Sequence, residues 1–346
     1  MHSVTTRRGG VSATVMAITV GFVIAGGVAT SYLAISEPFL VLGLMLIIGL
    51  PHGATDHGLF ESLEEGEVPK KNFSFYLGYV AVLGLYGLIW YLLPLLAFGI
   101  FMLLSIYHFR QSNWVSIHYK KAWTDRLHYL LWGAGILLTP ILLHAEEAAM
   151  IVGEMTNYQF VVPSTIITSN IIIGLAIVNL LAILGLYLIG SINWRRFGWE
   201  VLGYGVLMAL FFSNSLLLGF TVYFVFWHSL NSIQDQYRFF RDRLSTATLR
   251  LVYAEIGVVV VGAFTFCAII WFGPGPEAAL HPGIIGNVFI AISILTLPHM
   301  ILVEQLYLHW SPTEKSRVST PRITATKRKP NKPQPIRVPS SGGHRS

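Results

Sequence analysis

Four histidines lie in apolar segments that are widely separated along the chain: His52, His108, His228 and His299. Neutral imidazole is the commonest protein ligand for iron, copper and zinc, and it suits metals that must exchange other ligands. Three or four imidazoles without a thiolate fit a ferrous centre with an open position for dioxygen, and they would also fit zinc or copper. The single cysteine, Cys267, excludes a disulfide framework and any cysteine-rich metal site.

The segments that carry these histidines are predicted to be transmembrane helices. Of the 346 residues, 54% are apolar and only 12% are charged, whereas soluble domains carry about 25% charged residues. Long apolar runs without a period of two favour helices, which satisfy their own backbone hydrogen bonds in lipid. We therefore predict an all-α, polytopic transmembrane bundle of about eight to ten spans. The candidate spans are residues 11–34, 38–54, 73–92, 94–113, 127–145, 164–190, 199–213, 215–236, 251–272 and 283–308.

The distribution of charge predicts the orientation of this bundle. If the N-terminus is cytoplasmic, all 23 lysine and arginine residues fall on the cytoplasmic side, and the outside loops carry glutamates. The predicted organisation is a basic cytoplasmic N-terminus at 1–10, a transmembrane helical bundle at 11–310 and a basic, disordered cytoplasmic tail at 311–346. We expect the tail to contact lipid headgroups and not nucleic acid, because it has no aromatic residues among its charges. The predicted location is the inner (plasma) membrane of the cell.

This topology places the four histidines at one depth. Each lies toward the cytoplasmic end of a predicted span that runs inward, namely the second, fourth, eighth and tenth spans. Ionisable groups inside a membrane are costly, so their recurrence at one depth is a hypothesis of function. For each histidine taken alone, the alternative is a buried side chain that hydrogen-bonds to a neighbouring helix.

Three carboxylates near these histidines are candidate supporting groups. Asp56 follows His52 by four residues, so a continuing helix would place both on one face. Asp235 and Glu304 follow the histidines of the eighth and tenth spans. A metal-bound histidine usually donates its other ring proton to a carboxylate or carbonyl oxygen, which would be the role of such groups. Ordinary hydrogen bonding between helices is the alternative for each carboxylate.

Four motifs, taken in order, resemble those of the Brp/Blh family of membrane β-carotene cleavage enzymes. They are PHGATDH, the HF of YHFRQSNW, the HS of FWHSLNS, and LPHMILVE, and the resemblance runs from about residue 38 to about residue 308. It implies an iron(II)-dependent dioxygenase that uses O₂ to split β-carotene at its central 15,15′ double bond. The implied product is retinal, typically the chromophore of a microbial rhodopsin, which would act as product acceptor. The family's proposed iron ligands correspond to His52, His108 and His228.

The chain departs from the family pattern at three positions. Ser232 stands where the family motif HSxxH has a further histidine, and Arg110 and Asn113 replace the glycine and aspartate of HFGxxD. His57 or His299 would then complete the metal sphere. We expect an active enzyme, and the alternative is a degenerate family member that binds or delivers carotenoid or retinal without cleaving it.

Three aromatic residues are predicted to line the substrate path: Trp114, Phe226 and Trp227. Aromatic rings there would stabilise positive charge that develops on the polyene. Two further classes of protein fit less well. A transporter would be expected to show inverted repeats or paired broken helices. A di-iron desaturase needs clustered histidine boxes, and the chain contains no HxxxH, HxxH or HH.

Overall fold

The computed structural model describes residues 12–309, except 50, 52, 64–72, 115–121, 244–245, 247–249, 251, 255, 259, 263–264 and 266–281. All regular secondary structure in this part of the chain is helical, which confirms the all-α prediction. The predicted N-terminal segment 1–10 and the tail 311–346 lie outside the described residues, so these two boundaries stay predictions.

The helices follow one another with short connections. They are α1 Ala13–Val28, α2 Thr30–Leu44, α3 Asp56–Leu63, α4 Phe73–Leu92, α5 Pro94–Trp114, α6 Ala122–Leu143, α7 Ala145–Thr156, α8 Thr165–Leu188, α9 Trp194–Ser213, α10 Leu216–Val222, α11 Leu230–Arg243 and α12 Pro282–His309. Two π-helical segments interrupt this series. Met45–Gly49 continues α2, and Tyr223–Ser229 joins α10 to α11.

Several of these helices are long and apolar enough to cross a membrane. Within the described residues, four meet this condition by length and composition, and α6 with α7 makes a fifth if the bent pair is a single span. Shorter apolar helices cover Ala13–Val28, Ile35–Gly49, Pro94–Phe109 and Val252–Gly262. The helical membrane bundle is thus confirmed as a class, while the count of eight to ten spans and the cytoplasmic termini stay predictions.

The predicted boundary between the seventh and eighth spans is a real break. Helix α9 ends at Ser213, and α10 begins at Leu216 with the Ser215 hydroxyl accepting a hydrogen bond from the Leu218 N–H at 3.2 Å. Serine is a favoured N-cap because its side chain satisfies an otherwise unpaired amide of the first turn. The same hydroxyl donates to the carboxylate of Glu37. A cap therefore starts the helix that leads to His228.

Helix α7 was not predicted from the sequence. It begins directly after His144 and is bent by 100° from α6. Its buried residues include Ala148, Ile151 and Met155, which recur at helical spacing and pack in one cluster with Ala97 of α5. The prediction treated this segment as an outside loop because of its glutamates, whereas an amphipathic helix accommodates those charges on its other face.

Helices α5 and α6 approach each other closely at Gly133. A Cβ atom at this position would collide with the backbone carbonyl of Ile106 on α5. Small residues permit such contacts between helices in membrane proteins. The contact fixes α6 against the turn of α5 that immediately precedes His108.

Candidate functional site

Three of the four predicted histidines lie together in the protein interior. The ring centroids of His108 and His228 are 4.9 Å apart, and those of His108 and His299 are 5.6 Å apart. Each of the three residues is only 1–2% exposed. They come from α5, from the π segment before α11 and from α12. His52 lies outside the described residues.

His228 is positioned by a π-helical segment and two aromatic rings. Short π segments within helices are frequent at functional sites. Phe224, four residues before His228, stacks on its imidazole with 5.6 Å between centroids, and Phe109 lies 4.9 Å away. Gly49, at the end of the other π segment, permits this arrangement, because a Cβ atom there would lie 3.1 Å from the ring of Phe224.

A buried carboxylate holds His299. The Asp56 Oδ1 atom lies 2.6 Å from His299 Nδ1, and the Tyr79 hydroxyl donates to Asp56 Oδ2 at 2.9 Å. Helix α3 begins at Asp56 after a turn at 53–55. The continuing helix that was assumed between His52 and Asp56 is therefore wrong. A proton on Nδ1 that is donated to Asp56 makes Nε2 the nitrogen with the lone pair.

Ser232, which replaces the family histidine, belongs to a chain of polar side chains. It is 2% exposed, and its hydroxyl accepts a long hydrogen bond of 3.4 Å from Gln236 Nε2. The Oε1 atom of Gln236 accepts a hydrogen bond of 2.6 Å from the Thr55 hydroxyl. This chain connects α11 to the turn that carries Asp56, so the polar groups at this position link two elements of the site.

The other predicted polar residues have different surroundings. The Nε2 atom of His57 lies 3.4 Å from Glu61, and its ring is 5.5 Å from that of Tyr76. Of the two candidates for a fourth ligand, His299 is thus the one beside His108. The Tyr107 hydroxyl lies 3.3 Å from both carboxylate oxygens of Glu304, a contact that joins α5 to α12. Asp235 is half-buried on α11.

Two of the predicted aromatic residues contact α1. The indole N–H of Trp227 donates to the Thr19 hydroxyl at 2.9 Å, and the ring of Phe226 lies 6.5 Å from that of Phe22. Trp114 is the last residue of α5, and its side chain is outside what the structure describes. The rings against His228 are instead those of Phe109 and Phe224, which the prediction missed. The four-residue spacing of Phe224 and His228 was the signal that could have identified one of them.

The donor set of this cluster suits a metal in kind. It offers buried imidazoles without thiolate, and two imidazoles bound to one ion at about 2.1 Å have ring centroids roughly 5 Å apart, in agreement with the 4.9 Å separation of His108 and His228. Among the residues that the structure describes, however, no three His, Cys, Asp or Glu side chains form a group that would hold a metal ion. The predicted ligand His52 is not among them, so the residues fit a metal by their chemistry and proximity and not by a complete described sphere.

Comparison with known proteins identifies the family of the chain. A sequence profile described as beta-carotene 15,15′-dioxygenase matches residues 43–307. The chain is also 25% identical over 270 residues to a beta-carotene 15,15′-dioxygenase from uncultured marine bacterium 66A03, and the alignment covers 77% of this chain and 92% of that protein. No solved structure matches the chain significantly. Because the profile covers well over half of the sequence, the chain belongs to the β-carotene 15,15′-dioxygenase family.

Proposed function

We propose that this protein cleaves β-carotene at its central 15,15′ double bond into two molecules of retinal, with dioxygen as the oxidant. The double bond breaks, and each of its two carbons takes one oxygen atom of the same dioxygen molecule to become an aldehyde carbon. The observation that carries this proposal is the buried cluster of His108, His228 and His299 within the segment that matches the family.

We propose that His52, His108 and His228 hold a ferrous ion, with His299 as the fourth imidazole in place of the family histidine at Ser232. The ion, when bound, supplies the redox chemistry by which dioxygen reacts with the polyene. The proximity of His299 to His108, at 5.6 Å between ring centroids, supports this assignment over His57. The contact between His299 and Asp56 also supports it, because a carboxylate on the second ring nitrogen is the usual partner of a metal-bound histidine.

The residues around the imidazoles perform the remaining tasks. Phe109 and Phe224 surround His228 with apolar surface, which excludes water and faces a cationic polyene with the electron-rich sides of aromatic rings. Asp56 and Tyr79 keep the ring of His299 in one orientation. These roles use buried side chains only, which suits a substrate that partitions into lipid.

We place the reaction in the inner (plasma) membrane of the cell, where β-carotene dissolves and the apolar helices are at home. A rhodopsin as acceptor of the retinal stays a prediction from the family resemblance. The second candidate function is a protein that binds carotenoid or retinal without cleaving it. Ser232 favours this candidate, since a buried hydroxyl occupies the position of a family ligand.

Expression in a bacterial host that makes β-carotene tests the proposal. We expect retinal, measured by chromatography, from the wild-type chain but not from His228→Ala or the empty vector. The purified His228→Ala protein should also lose bound iron. Retinal production by His228→Ala at the wild-type level would contradict the assignment of the site. Unchanged carotene in membranes that contain folded wild-type protein would favour the binding protein.

A further inference from the structure

We propose that an apolar cavity next to the histidines holds one half of the carotenoid, and that α7, which forms the far end of this cavity, determines which double bond reaches the histidines. This inference rests on the proposed cleavage reaction. It assigns the substrate-binding surface to elements other than the aromatic residues that the sequence suggested.

The cavity has a volume of about 80 Å³ and lies between α5, α6, α7, α10 and α12. Its walls are formed by Phe, Leu, Ile, Val, Met, Ala and Pro side chains, and Ser105 is the one residue with a polar side chain among those that line it. Such a surface recognises hydrocarbon and offers no partner to a charged or strongly polar ligand. A conjugated polyene has the matching chemistry.

One end of the cavity reaches the histidine cluster. Phe109 lines the cavity, and its ring centroid lies 4.9 Å from that of His228. Phe220 also lines it and stacks on Phe224, the second ring against His228. A hydrocarbon chain in the cavity would therefore meet the imidazoles after passing these aromatic side chains.

The length of the cavity wall matches half of a carotenoid. Phe98, Met102, Ser105 and Phe109 recur at intervals of three or four residues and line the cavity from one face of α5. At 1.5 Å per residue, the eleven-residue step from Phe98 to Phe109 spans about 16 Å. A C40 carotenoid is roughly as long as the hydrocarbon core is thick, about 30 Å, so half of it extends about 15 Å. With its central bond at the histidines, the ring end of the carotenoid lies near Phe98.

Helix α7 forms the end of the cavity near Phe98. Ala148 and Met155 line the cavity, are 6% and 5% exposed, and pack in one cluster with Ala97, which precedes Phe98 on α5. The 100° bend between α6 and α7 turns α7 across the direction of α6. The cavity as it stands is smaller than half a carotenoid, so Met102 and Met155, whose flexible side chains repack readily, must turn aside when the polyene enters.

The test changes the length of the cavity at α7. Ala148→Phe adds bulk at the closed end, so the carotenoid should insert less deeply and present a bond closer to its inserted end. We expect retinal to fall about tenfold and a pair of unequal cleavage products to appear, one shorter and one longer than retinal, with carbon numbers that sum to that of β-carotene. Mass spectrometry of the products measures both. The matched control is Met150→Phe, because Met150 lies on the same helix and is 57% exposed.

A binding measurement separates this inference from the proposed function. In the His228→Ala background, carotene is not consumed, and the amount that copurifies with the protein is read from its absorbance. We expect Ala148→Phe to lower this amount severalfold and Met150→Phe to leave it unchanged. Equal retention and an unchanged product set in Ala148→Phe would overturn the inference, even if the wild type makes retinal. Loss of retention with no retinal from the wild type would support the cavity and overturn the cleavage reaction.

A second variant decides the question if Ala148→Phe does not fold. Met155→Ala lengthens the cavity, so the carotenoid should insert more deeply and the inserted product should become longer than retinal. Size-exclusion chromatography in detergent establishes that the variant is folded. A folded Met155→Ala protein with the wild-type product set and wild-type carotene retention would overturn the inference.

Discussion

Buried polar side chains occur in two regions of the helical bundle, and the two regions differ in the partners of those side chains. Where α6 meets α8, the Asn179 amide donates to the backbone carbonyl of Leu131 on α6 at 3.0 Å and to that of Leu175 on its own helix at 2.9 Å. Around the histidines, Asp56 instead contacts two ionisable side chains, His299 and Tyr79. Both regions are almost fully buried.

The comparison shows that burial alone does not distinguish packing from chemistry. An amide that bonds to backbone carbonyls joins two helices without burying a charge, which is a common use of asparagine in membrane bundles. A carboxylate and an imidazole are each costly to bury alone, and removing one partner exposes the cost of the other. Interaction between ionisable side chains therefore indicates the functional region, while bonding to the backbone indicates a structural one.

The largest expected effect in the histidine region comes from His299→Ala. If His299 is the fourth imidazole, its loss should lower retinal formation by more than about 100-fold, since even supporting groups around a metal contribute 10- to 100-fold. Adding Ser232→His should restore part of the activity and the bound iron, because position 232 lies one helical turn after His228. Iron content and retinal per folded protein measure both. No rescue, together with full iron content in His299→Ala, would remove His299 from the metal sphere.

The next effect concerns the carboxylate that holds His299. Asp56→Asn preserves the size of the side chain and removes its charge, so we expect a 10- to 100-fold loss of iron affinity. Tyr79→Phe removes one hydrogen bond to the same carboxylate and should act in the same direction with a smaller effect. Cobalt substituted for iron gives an absorption spectrum that reports ligand geometry independently of activity. A purely structural role for Asp56 would lower thermal stability and leave the cobalt spectrum of the folded protein unchanged.

The smallest effect is expected in the other region. Asn179→Ala removes the hydrogen bonds that join α8 to α6, and hydrogen bonds between membrane helices contribute about 0.6 kcal/mol on average and up to about 1.7 kcal/mol. Thermal denaturation in detergent should show a modest loss of stability. Retinal formation per folded protein should stay at the wild-type level. A large loss of activity in folded Asn179→Ala would break the distinction between the two regions.

Local sequence patterns predicted much of the helical framework. The predicted spans 73–92 and 94–113 coincide with α4 and α5 to within one residue. Their apolar runs are continuous, and Pro94 marks the first residue of the second helix, a position where its missing N–H has no cost. The pattern failed at α7, because a short amphipathic helix with several glutamates has the composition of a loop outside the membrane.

The sequence by itself determined that the protein is a bundle of apolar helices that carries imidazoles but no cysteine-rich site. Those properties depend on residue type and local spacing, which the chain displays directly. Only the tertiary structure decided that Asp56 contacts His299, that Phe109 and Phe224 contact His228, and that α7 forms the end of a cavity beside them. Asp56 and His299 are 243 positions apart. Their contact depends on how several helices pack, as at Gly133 where α5 and α6 meet, and helical periodicity specifies a face of each helix without specifying its neighbour.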